Sequence, residues 1–349
     1  MKILDREILL DSPPYVIAEM SGNHQGSLEV ALELLRECAK AGADALKLQT
    51  YTADSMTMNS DRKEYIIQSG PWVGSKLHDL YTQGHTPIEW LPDLFKEAVK
   101  LGIALFSTPF GLDEVEILEQ YEVPAYKIAS FELTFSQLLR KIALTGKPVI
   151  LSTGMATLEE ISRAIEVLVT SGSGPVAILK CTTSYPAKLE SLNLKTIPSF
   201  IKKFGIPVGF SDHTVGNLAA ISAVSLGATI IEKHVKLDRD ETSVDATFSM
   251  PISKLKSYID DCNQAFTASG NFKDGPSVDE VPYMKYRRSI IANRNIPKGS
   301  IVTSQDFAIL RPMIGLAPDD EGAIIGLETN REILRGEGIQ MSFFDPKTN

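Results

Sequence analysis

The chain has 349 residues, of which 43% are hydrophobic and 23% charged, and its formal net charge is −9. These proportions are ordinary for a soluble globular protein, and the negative charge argues against a nucleic-acid partner but not against a small anionic substrate in a local basic pocket. The sequence has three widely spaced cysteines and no long apolar stretch, so we expect a cytoplasmic protein without disulfides, structural zinc or a membrane partner.

Along residues 1–270, short apolar segments alternate with longer amphipathic segments. The apolar segments predict eight strands, over residues 15–20, 45–49, 104–108, 125–129, 148–152, 176–180, 208–210 and 229–232. The amphipathic segments predict helices over residues 27–40, 88–101, 112–120, 135–145, 158–170, 194–203, 217–226 and 253–268. This number of units matches a (β/α)8 TIM barrel, although the alternation also permits a doubly wound open sheet. We favour the barrel because polar side chains follow nearly every strand.

The segment 207–235, PVGFSDHTVGNLAAISAVSLGATIIEKHV, predicts a βαβ unit whose two strands lie parallel. Each predicted strand ends in a polar cluster, Ser-Asp-His in the first and Glu-Lys-His in the second. His213 and His234 could therefore meet on one face of a barrel, and two neutral imidazoles suit a divalent metal. The alternative is two histidines that are satisfied separately on unrelated loops.

Lysines and hydroxyls recur near the predicted strand ends. Such side chains converging on a barrel mouth suit a phosphate or phosphoenol group. A single Ser or Thr in this position is alternatively a helix N-cap, and Ser152-Thr153-Gly154 could serve only that purpose. The residues near the strand ends include Glu19, Lys47, Gln49, Thr108, Lys127, Ser130, Glu132, Ser152, Lys180, Thr183, Ser211, His213, Glu232 and His234, and Asp245 follows the last strand.

The chain also has one long connection and a change of character near its end. Residues 50–86 separate the second strand from its helix, and loops of this length are often lids or binding elements, although a merely structural covering is possible. Residues 271–286 are rich in Gly, Pro and acidic side chains, so we predict a linker between a catalytic barrel at 1–270 and a small, turn-rich β domain at 287–349.

Several stretches resemble one enzyme family in order and over nearly the whole chain. They are IAEMSGNHQGSLE, AGADALKLQTY, FSTPF, VPAYKIASFE, GKPVILSTGMAT, CTTSYP, GFSDHTVG, IIEKHV and IPKGSIVTSQDFAILRP. They resemble the sialic acid synthases, which condense phosphoenolpyruvate with an amino sugar to make nine-carbon sugar acids. The resemblance implies a TIM barrel followed by an antifreeze-like (SAF) domain. It also implies a homodimer in which the small domain closes the partner's active site.

Within that family, the chain is most similar to the branch that makes pseudaminic acid from an open-chain 2,4-diacetamido-2,4,6-trideoxy-L-altrose. The similar segments include SGPWVGSKLHDLY in the long loop, KCTTSYPA and RRSIIANRNIPKG. The N-acetylneuraminate branch usually carries Asn where Thr183 stands and lacks a matching PWVGSKLHDLY segment. Synthesis of N-acetylneuraminate or legionaminic acid from a different amino sugar is the alternative within the family.

The resemblance also implies roles for individual residues. A divalent ion, Mn²⁺ or Mg²⁺ with Co²⁺ as an alternative, would sit on His213 and His234. Glu19 would activate water or transfer a proton, with Glu132 and Asp245 in related roles. Gln49, Thr183 and Tyr185 would contact the sugar, and Arg311 of the small domain would bind its acyl group. The phosphoenolpyruvate pocket would comprise Lys47, Thr108, Lys127, Ser130, Ser152 and Ser211.

Two readings outside this mechanism remain open at the level of sequence. Lys47, Lys127, Lys180 and Lys233 all stand near strand ends, so a Schiff-base aldolase is possible. A barrel that binds a sugar without any chemistry is the non-enzymatic alternative.

Overall fold

A computed structural model describes residues 1–345 of the chain. It divides into two compact units, one spanning Met1–Gly270 and the other beginning at Asn271. The last four residues of the predicted small domain, 346–349, lie outside the described residues.

The first unit contains a closed barrel of eight parallel strands. The last strand of the barrel pairs with both the strand before it and the first strand, which closes the barrel. Every other strand pairs with its neighbour in sequence. The predicted TIM barrel is therefore confirmed, and the open doubly wound sheet is wrong. The barrel strands are β3 (Tyr15–Glu19), β4 (Ala45–Thr50), β5 (Ala104–Pro109), β6 (Tyr126–Ile128), β7 (Val149–Ser152), β8 (Val176–Cys181), β9 (Val208–Asp212) and β10 (Ile230–Lys236).

Helices follow the barrel strands along the chain, with two additional helices in the long connection after β4. Their bounds agree with the predicted ones to within a few residues. No helix between residues 1 and 345 is long and apolar enough to cross a membrane. The helices are α1 (Leu28–Ala41), α2 (Ala53–Met56), α3 (Leu77–Gly84), α4 (Leu91–Leu101), α5 (Leu112–Glu119), α6 (Ser136–Ala143), α7 (Leu158–Thr170), α8 (Thr196–Phe204), α9 (Leu218–Ser225) and α10 (Leu255–Ser269).

The last barrel strand is longer than its sequence pattern predicts. The prediction ended the strand at residue 232, whereas β10 continues to Lys236. A short strand, β11 (Met250–Pro251), pairs in parallel with Val235 and Lys236 and extends the ladder. Glu232 and His234 therefore lie within a strand, and because side chains alternate along a strand, they point to the same side.

The interior of the barrel is apolar at its base. A buried cluster there includes Tyr15, Ile17, Phe106, Ile150 and Leu179. It also contains Ile3 and Ile8 from the amino-terminal hairpin formed by β1 (Lys2–Ile3) and β2 (Arg6–Glu7). The hairpin thus packs against the amino-terminal end of the barrel core, and the opposite end of the strands is left for polar side chains.

The second unit has its own small core and little regular structure. β12 (Ser289–Ala292) pairs antiparallel with β13 (Phe307–Leu310), and isolated bridges such as Ile296 to Ile333 join the turns around them. A helix α11 (Glu321–Ile324) and a 3-10 helix over Val281–Tyr286 complete the unit as far as residue 345. Ile290, Val302, Ile324, Ile333 and Ile339 are buried together.

Candidate active site

The alternation along the strands determines which side chains enter the barrel mouth. Ala45, Ala125, Ile150 and Ile230 belong to the barrel-interior core. Because the side-chain period of a strand is two residues, the residue two positions later faces the same way. The inward positions above the core are therefore Lys47, Lys127, Ser152 and Glu232, with His234 one step farther along β10.

Two lysines and two carboxylates form a buried ionic network at this level. Nζ of Lys47 lies 2.8 Å from Oε2 of Glu19 and 3.7 Å from Oε1 of Glu232. Nζ of Lys127 also lies 3.7 Å from the same Glu232 oxygen. All four side chains are almost entirely excluded from solvent. Buried charges persist only when they are paired, and each lysine of this network has a carboxylate within 4 Å.

The network shifts the pKa of each member in a way that its surroundings explain. Burial raises the pKa of Glu19 to about 6, although Lys47 opposes this. Burial would also raise the pKa of Glu232, but the charges of Lys127 and Lys47 outweigh it and lower that pKa. Burial lowers the pKa of Lys127, whereas the two carboxylates overcome burial at Lys47 and raise its pKa.

The predicted hydroxyl groups accompany the lysines. Lys47 donates to Oγ1 of Thr108 over 3.2 Å, and Lys127 donates to Oγ of Ser152 over 2.6 Å. Ser211 donates to Glu232 over 3.2 Å. These contacts join neighbouring strands and bring five residues of the predicted phosphoenolpyruvate pocket into one region.

Ser130 and Thr183 meet at the backbone of Gly154. The backbone N–H of Gly154 donates to Oγ of Ser130 over 3.0 Å. A Cβ atom at position 154 would collide with both hydroxyl oxygens, so only glycine fits between them. Oγ1 of Thr183 is buried and has no hydrogen-bond partner among the described residues, which leaves it free to meet a ligand.

The capping alternative for the Ser152-Thr153-Gly154 segment is wrong. Helix α7 begins at Leu158 and is capped by Thr157, whose side chain accepts a hydrogen bond from the backbone N–H of Glu160 in a capping box. Ser152 lies at the end of β7, and Thr153 donates to the carbonyl of Leu179 over 3.0 Å. Neither hydroxyl serves a helix.

The two histidines do lie beside each other. The ring centroids of His213 and His234 are 5.4 Å apart, so the reading as separate, unrelated loop residues is wrong. Nδ1 of His213 lies 3.1 Å from the carbonyl of Thr182, which favours a tautomer whose Nε2 carries a free lone pair. Burial holds the pKa of His234 well below its usual range, and its buried Nδ1 has no partner among residues 1–345.

This pair offers two imidazole nitrogens to a divalent metal. No cluster of three or more His, Cys, Asp or Glu side chains suited to a metal occurs within the described part of the chain. The candidate ligands are these two histidines, and an ion bound by them would take its other positions from water or substrate.

The other predicted acid–base residues are buried near the mouth. Burial raises the pKa of Glu132 to about 7, and it also raises the pKa of Asp245. Asp245 accepts a short hydrogen bond from Ser21. Gln49 donates to Glu19 over 3.1 Å, so its amide is held beside the ionic network.

Two of the four lysines considered for a Schiff base do not face the interior. Lys233, between Glu232 and His234 on β10, points to the outer side of the barrel wall and lies 3.0 Å from Oδ2 of Asp212. Tyr258 of α10 donates to the same oxygen over 2.9 Å. Lys180 donates to the carbonyl of Cys181 over 2.8 Å. Both lysines alternate with inward-facing residues and are directed away from the mouth.

The long loop, residues 51–86, reaches across to the far side of the mouth. Nε1 of Trp72 donates to the carbonyl of Val244 over 2.6 Å. The Trp72 ring packs at 5.6 Å from Tyr185 and 5.8 Å from Phe248. The Tyr185 ring in turn lies 4.4 Å from His213. The long loop therefore contributes an aromatic side chain to the region above the histidine pair.

Arg311 is exposed in the second unit, one residue after β13. Three residues without a predicted role also belong to the site: Glu232, which the sequence placed near a strand end, and Trp72 and Phe248. Alternation along β10 could have predicted that Glu232 enters the site, because it lies two residues from His234 and therefore points to the same side. Nothing local marks Trp72 or Phe248, since both depend on loops that meet only in the folded barrel.

The comparisons with known proteins agree with the sequence resemblance. The NeuB family matches residues 34–274, and the SAF domain matches residues 287–345. A pseudaminic acid synthase of Campylobacter jejuni subsp. jejuni serotype O:23/36 (strain 81-176) is 40% identical over 334 residues, covering 96% of this chain and 97% of that protein. The pseudaminic acid synthase of Helicobacter pylori is 38% identical over 322 residues, covering 91% and 94% respectively.

Among solved structures, the N-acetylneuraminic acid (sialic acid) synthetase of Leptospira borgpetersenii superimposes with a TM-score of 0.71 at 30% identity. The match covers 78% of this chain and 91% of that one. The expected resemblance to the sialic acid synthases is thereby confirmed over both parts of the chain. The chain belongs to the NeuB family and ends in a SAF domain.

Proposed function

We propose that the chain is a pseudaminic acid synthase, which condenses phosphoenolpyruvate with 2,4-diacetamido-2,4,6-trideoxy-L-altrose and water to give pseudaminic acid and phosphate. The observation that carries this proposal is the convergence of Lys47 and Lys127 with Glu232 beside the histidine pair. Two buried cations suit the phosphate and carboxylate of phosphoenolpyruvate, while carboxylates and imidazoles supply the groups for condensation.

In the proposed reaction, the enol carbon of phosphoenolpyruvate bonds to C1 of the open-chain sugar, whose aldehyde oxygen becomes a hydroxyl. Water adds to the carbon that was C2 of phosphoenolpyruvate, and phosphate leaves from that carbon with cleavage of the C–O bond. Lys47 and Lys127 hold the anionic groups, and the hydroxyls of Thr108, Ser130, Ser152 and Ser211 orient them. Glu19 takes the proton from water, and its raised pKa of about 6 suits a group that changes protonation near neutral pH.

His213 and His234 are the residues that would hold a divalent ion, with Mn²⁺ or Mg²⁺ as the proposed metal. When bound there, the ion would supply a Lewis acid for the aldehyde oxygen of the sugar. His213 is oriented for this by the carbonyl of Thr182, and His234 by its place in a paired strand. Tyr185 packs against His213 and restricts its ring.

The choice of sugar rests on two observations. The relatives at 40% and 38% identity are pseudaminic acid synthases, whereas the structural neighbour named as an N-acetylneuraminic acid synthetase is 30% identical. The ring of Trp72 in the long loop also packs against Tyr185, which is a proposed sugar contact. Gln49, Thr183 and Tyr185 are the proposed sugar contacts within the barrel.

We further propose a homodimer in which Arg311 of the small domain reaches the partner's barrel and binds the sugar's acyl oxygen. A guanidinium fork suits such a carbonyl. The proposed domains are the barrel at 1–270, a linker at 271–286 and the SAF domain at 287–349. A reducing cytoplasm agrees with Cys38, Cys181 and Cys262, which are all buried and free.

A Schiff-base aldolase is the second candidate, because burial lowers the pKa of Lys127, as an amine nucleophile requires. Phosphate release decides between the two. The enzyme is incubated with phosphoenolpyruvate, Mn²⁺ and either the diacetamido sugar or N-acetylmannosamine, with and without EDTA. Turnover of the diacetamido sugar alone, abolished by EDTA, is expected. Turnover of N-acetylmannosamine alone would overturn the sugar assignment, and a borohydride-trapped lysine adduct would overturn the mechanism.

A further inference from the structure

Three aromatic rings connect the two metal-ligand candidates, His213 and His234, to the long loop. His213 contacts Tyr185 at 4.4 Å between centroids, and Tyr185 contacts Phe248 at 4.9 Å and Trp72 at 5.6 Å. Phe248 also lies 5.2 Å from His234. Trp72 thus stands one ring farther from the histidines than Tyr185, at the outer end of an apolar wall.

The position of Trp72 is fixed by the loop that follows β10. Its indole N–H donates to the carbonyl of Val244, a residue 172 positions away in sequence. The side chain of Val244 lies against Gly22 of the loop after β3 and Gly84 at the end of α3, and a Cβ at Gly22 would collide with it. Val244 therefore anchors the long loop through its carbonyl and packs against both flanking loops through its side chain.

Building on the proposed function, we propose that Trp72 is a specificity-determining residue. Its ring, with those of Tyr185 and Phe248, receives the methyl-bearing C6 end of a 6-deoxy sugar and disfavours a sugar with a hydroxyl at C6. The aldehyde carbon must lie at the histidine pair to react. In this placement, the far end of the six-carbon chain points along these rings toward Trp72.

The chemistry of the wall supports this assignment. The indole N–H of Trp72 is already used by Val244, so the ring offers the sugar only its apolar surface. Phe248 has no polar atom in its side chain and is only 4% exposed. A C6 hydroxyl placed against Trp72 and Phe248 would lose water without gaining a partner from either ring, whereas a methyl group would gain contact.

The test compares two sugars that differ only at C6, namely the 6-deoxy diacetamido sugar and its 6-hydroxy counterpart. For the Trp72→Ala variant, we expect the KM for the 6-deoxy sugar to rise about 10-fold or more, with the KM for phosphoenolpyruvate unchanged. The preference for 6-deoxy over 6-hydroxy sugar should shrink by a similar factor. Val73→Ala is the matched control, because Val73 is the next residue and is 62% exposed.

A second readout does not depend on turnover. Sequence positions 72 and 90 hold the two tryptophans of the chain, so a Trp90→Phe variant leaves Trp72 as the single reporter. The alditol of the 6-deoxy sugar cannot react, and it should protect Trp72 fluorescence from acrylamide quenching. An unchanged sugar KM and C6 preference in Trp72→Ala, or no protection by the alditol, would overturn the inference. Failure of the wild-type enzyme to use the sugar would instead overturn the proposed function.

Discussion

The ammonium group of Lys47 lies 2.8 Å from the carboxylate of Glu19, and both side chains are buried at the barrel mouth. A buried pair of this kind contributes little stability relative to apolar packing, but it is strongly destabilising to break, because the remaining charge is left uncompensated. The pair therefore holds a cation ready for an anionic substrate at the expense of fold stability.

Lys47→Met should lower the free energy of unfolding by about 3–5 kcal/mol and raise the KM for phosphoenolpyruvate. The loss of stability follows from leaving Glu19 and Glu232 with one cation fewer. Denaturant unfolding and phosphate release measure the two effects. Adding Glu19→Gln should restore part of the stability but not the substrate affinity, and Lys40→Met, on the exposed face of α1, is the surface control. Normal phosphoenolpyruvate affinity in Lys47→Met would remove Lys47 from the site.

His213→Ala and His234→Ala should each lose bound Mn²⁺ and reduce phosphate release by at least about 100-fold. Each substitution removes one of only two imidazole ligands. Metal content after dialysis against Mn²⁺ gives a measurement independent of turnover. His78→Ala, in the long loop and paired with Asp54, is the matched control. Full metal content in either site variant would contradict the proposed ligands.

Glu132→Gln should change how stability depends on pH. Burial raises the pKa of Glu132 from 4.5 to about 7. A raised carboxyl pKa stabilises the fold below the unfolded value, and this contribution is lost as pH rises through the folded value. The free energy of unfolding of the wild type should therefore fall between pH 4.5 and about 7. That of the variant should fall by about 1–3 kcal/mol less over the same range. Parallel pH profiles of unfolding for both proteins would disprove the shift, while a loss of turnover in the variant would support the proposed proton-transfer role.

Lys233→Met should reduce stability without a specific effect on the reaction. Its partner Asp212 and the neighbouring Tyr258 lie on the outer side of the barrel wall, so the expected loss is about 3–5 kcal/mol of unfolding free energy. The KM values of the folded variant should remain near those of the wild type. Asp212→Asn in the same chain should recover part of the stability. A large change in KM with unchanged stability would mean that Lys233 reaches substrate.

The proposed dimer can be tested by mixing two inactive variants. Arg311→Ala and His213→Ala each disable every site of their own homodimer if Arg311 acts across the dimer. A heterodimer of the two has one intact site, so equal mixing should recover about a quarter of wild-type activity. Labelled subunits confirm that exchange has occurred. Exchange without recovered activity would show that Arg311 does not act in the partner's site.

The sequence by itself determined the order of the strands and the direction of their side chains. Ala45 and Lys47 of β4 point to the same side, and so do Ile230, Glu232 and His234 of β10. On each strand an apolar residue at the base is followed by polar residues at the mouth. The reason is that successive side chains of a strand point to opposite faces, independently of the rest of the chain. The bounds of β10 were missed because pairing with β3, β9 and β11, not local propensity, extends it.

Only the tertiary structure decided which of these side chains act together. Lys47 and Lys127 lie on separate strands, and barrel closure brings both to the same oxygen of Glu232 on a third strand. Trp72 reaches Val244 over 172 positions because two loops meet above the closed sheet. Such contacts depend on strand register and closure, which are properties of the whole barrel and leave no local trace in the chain.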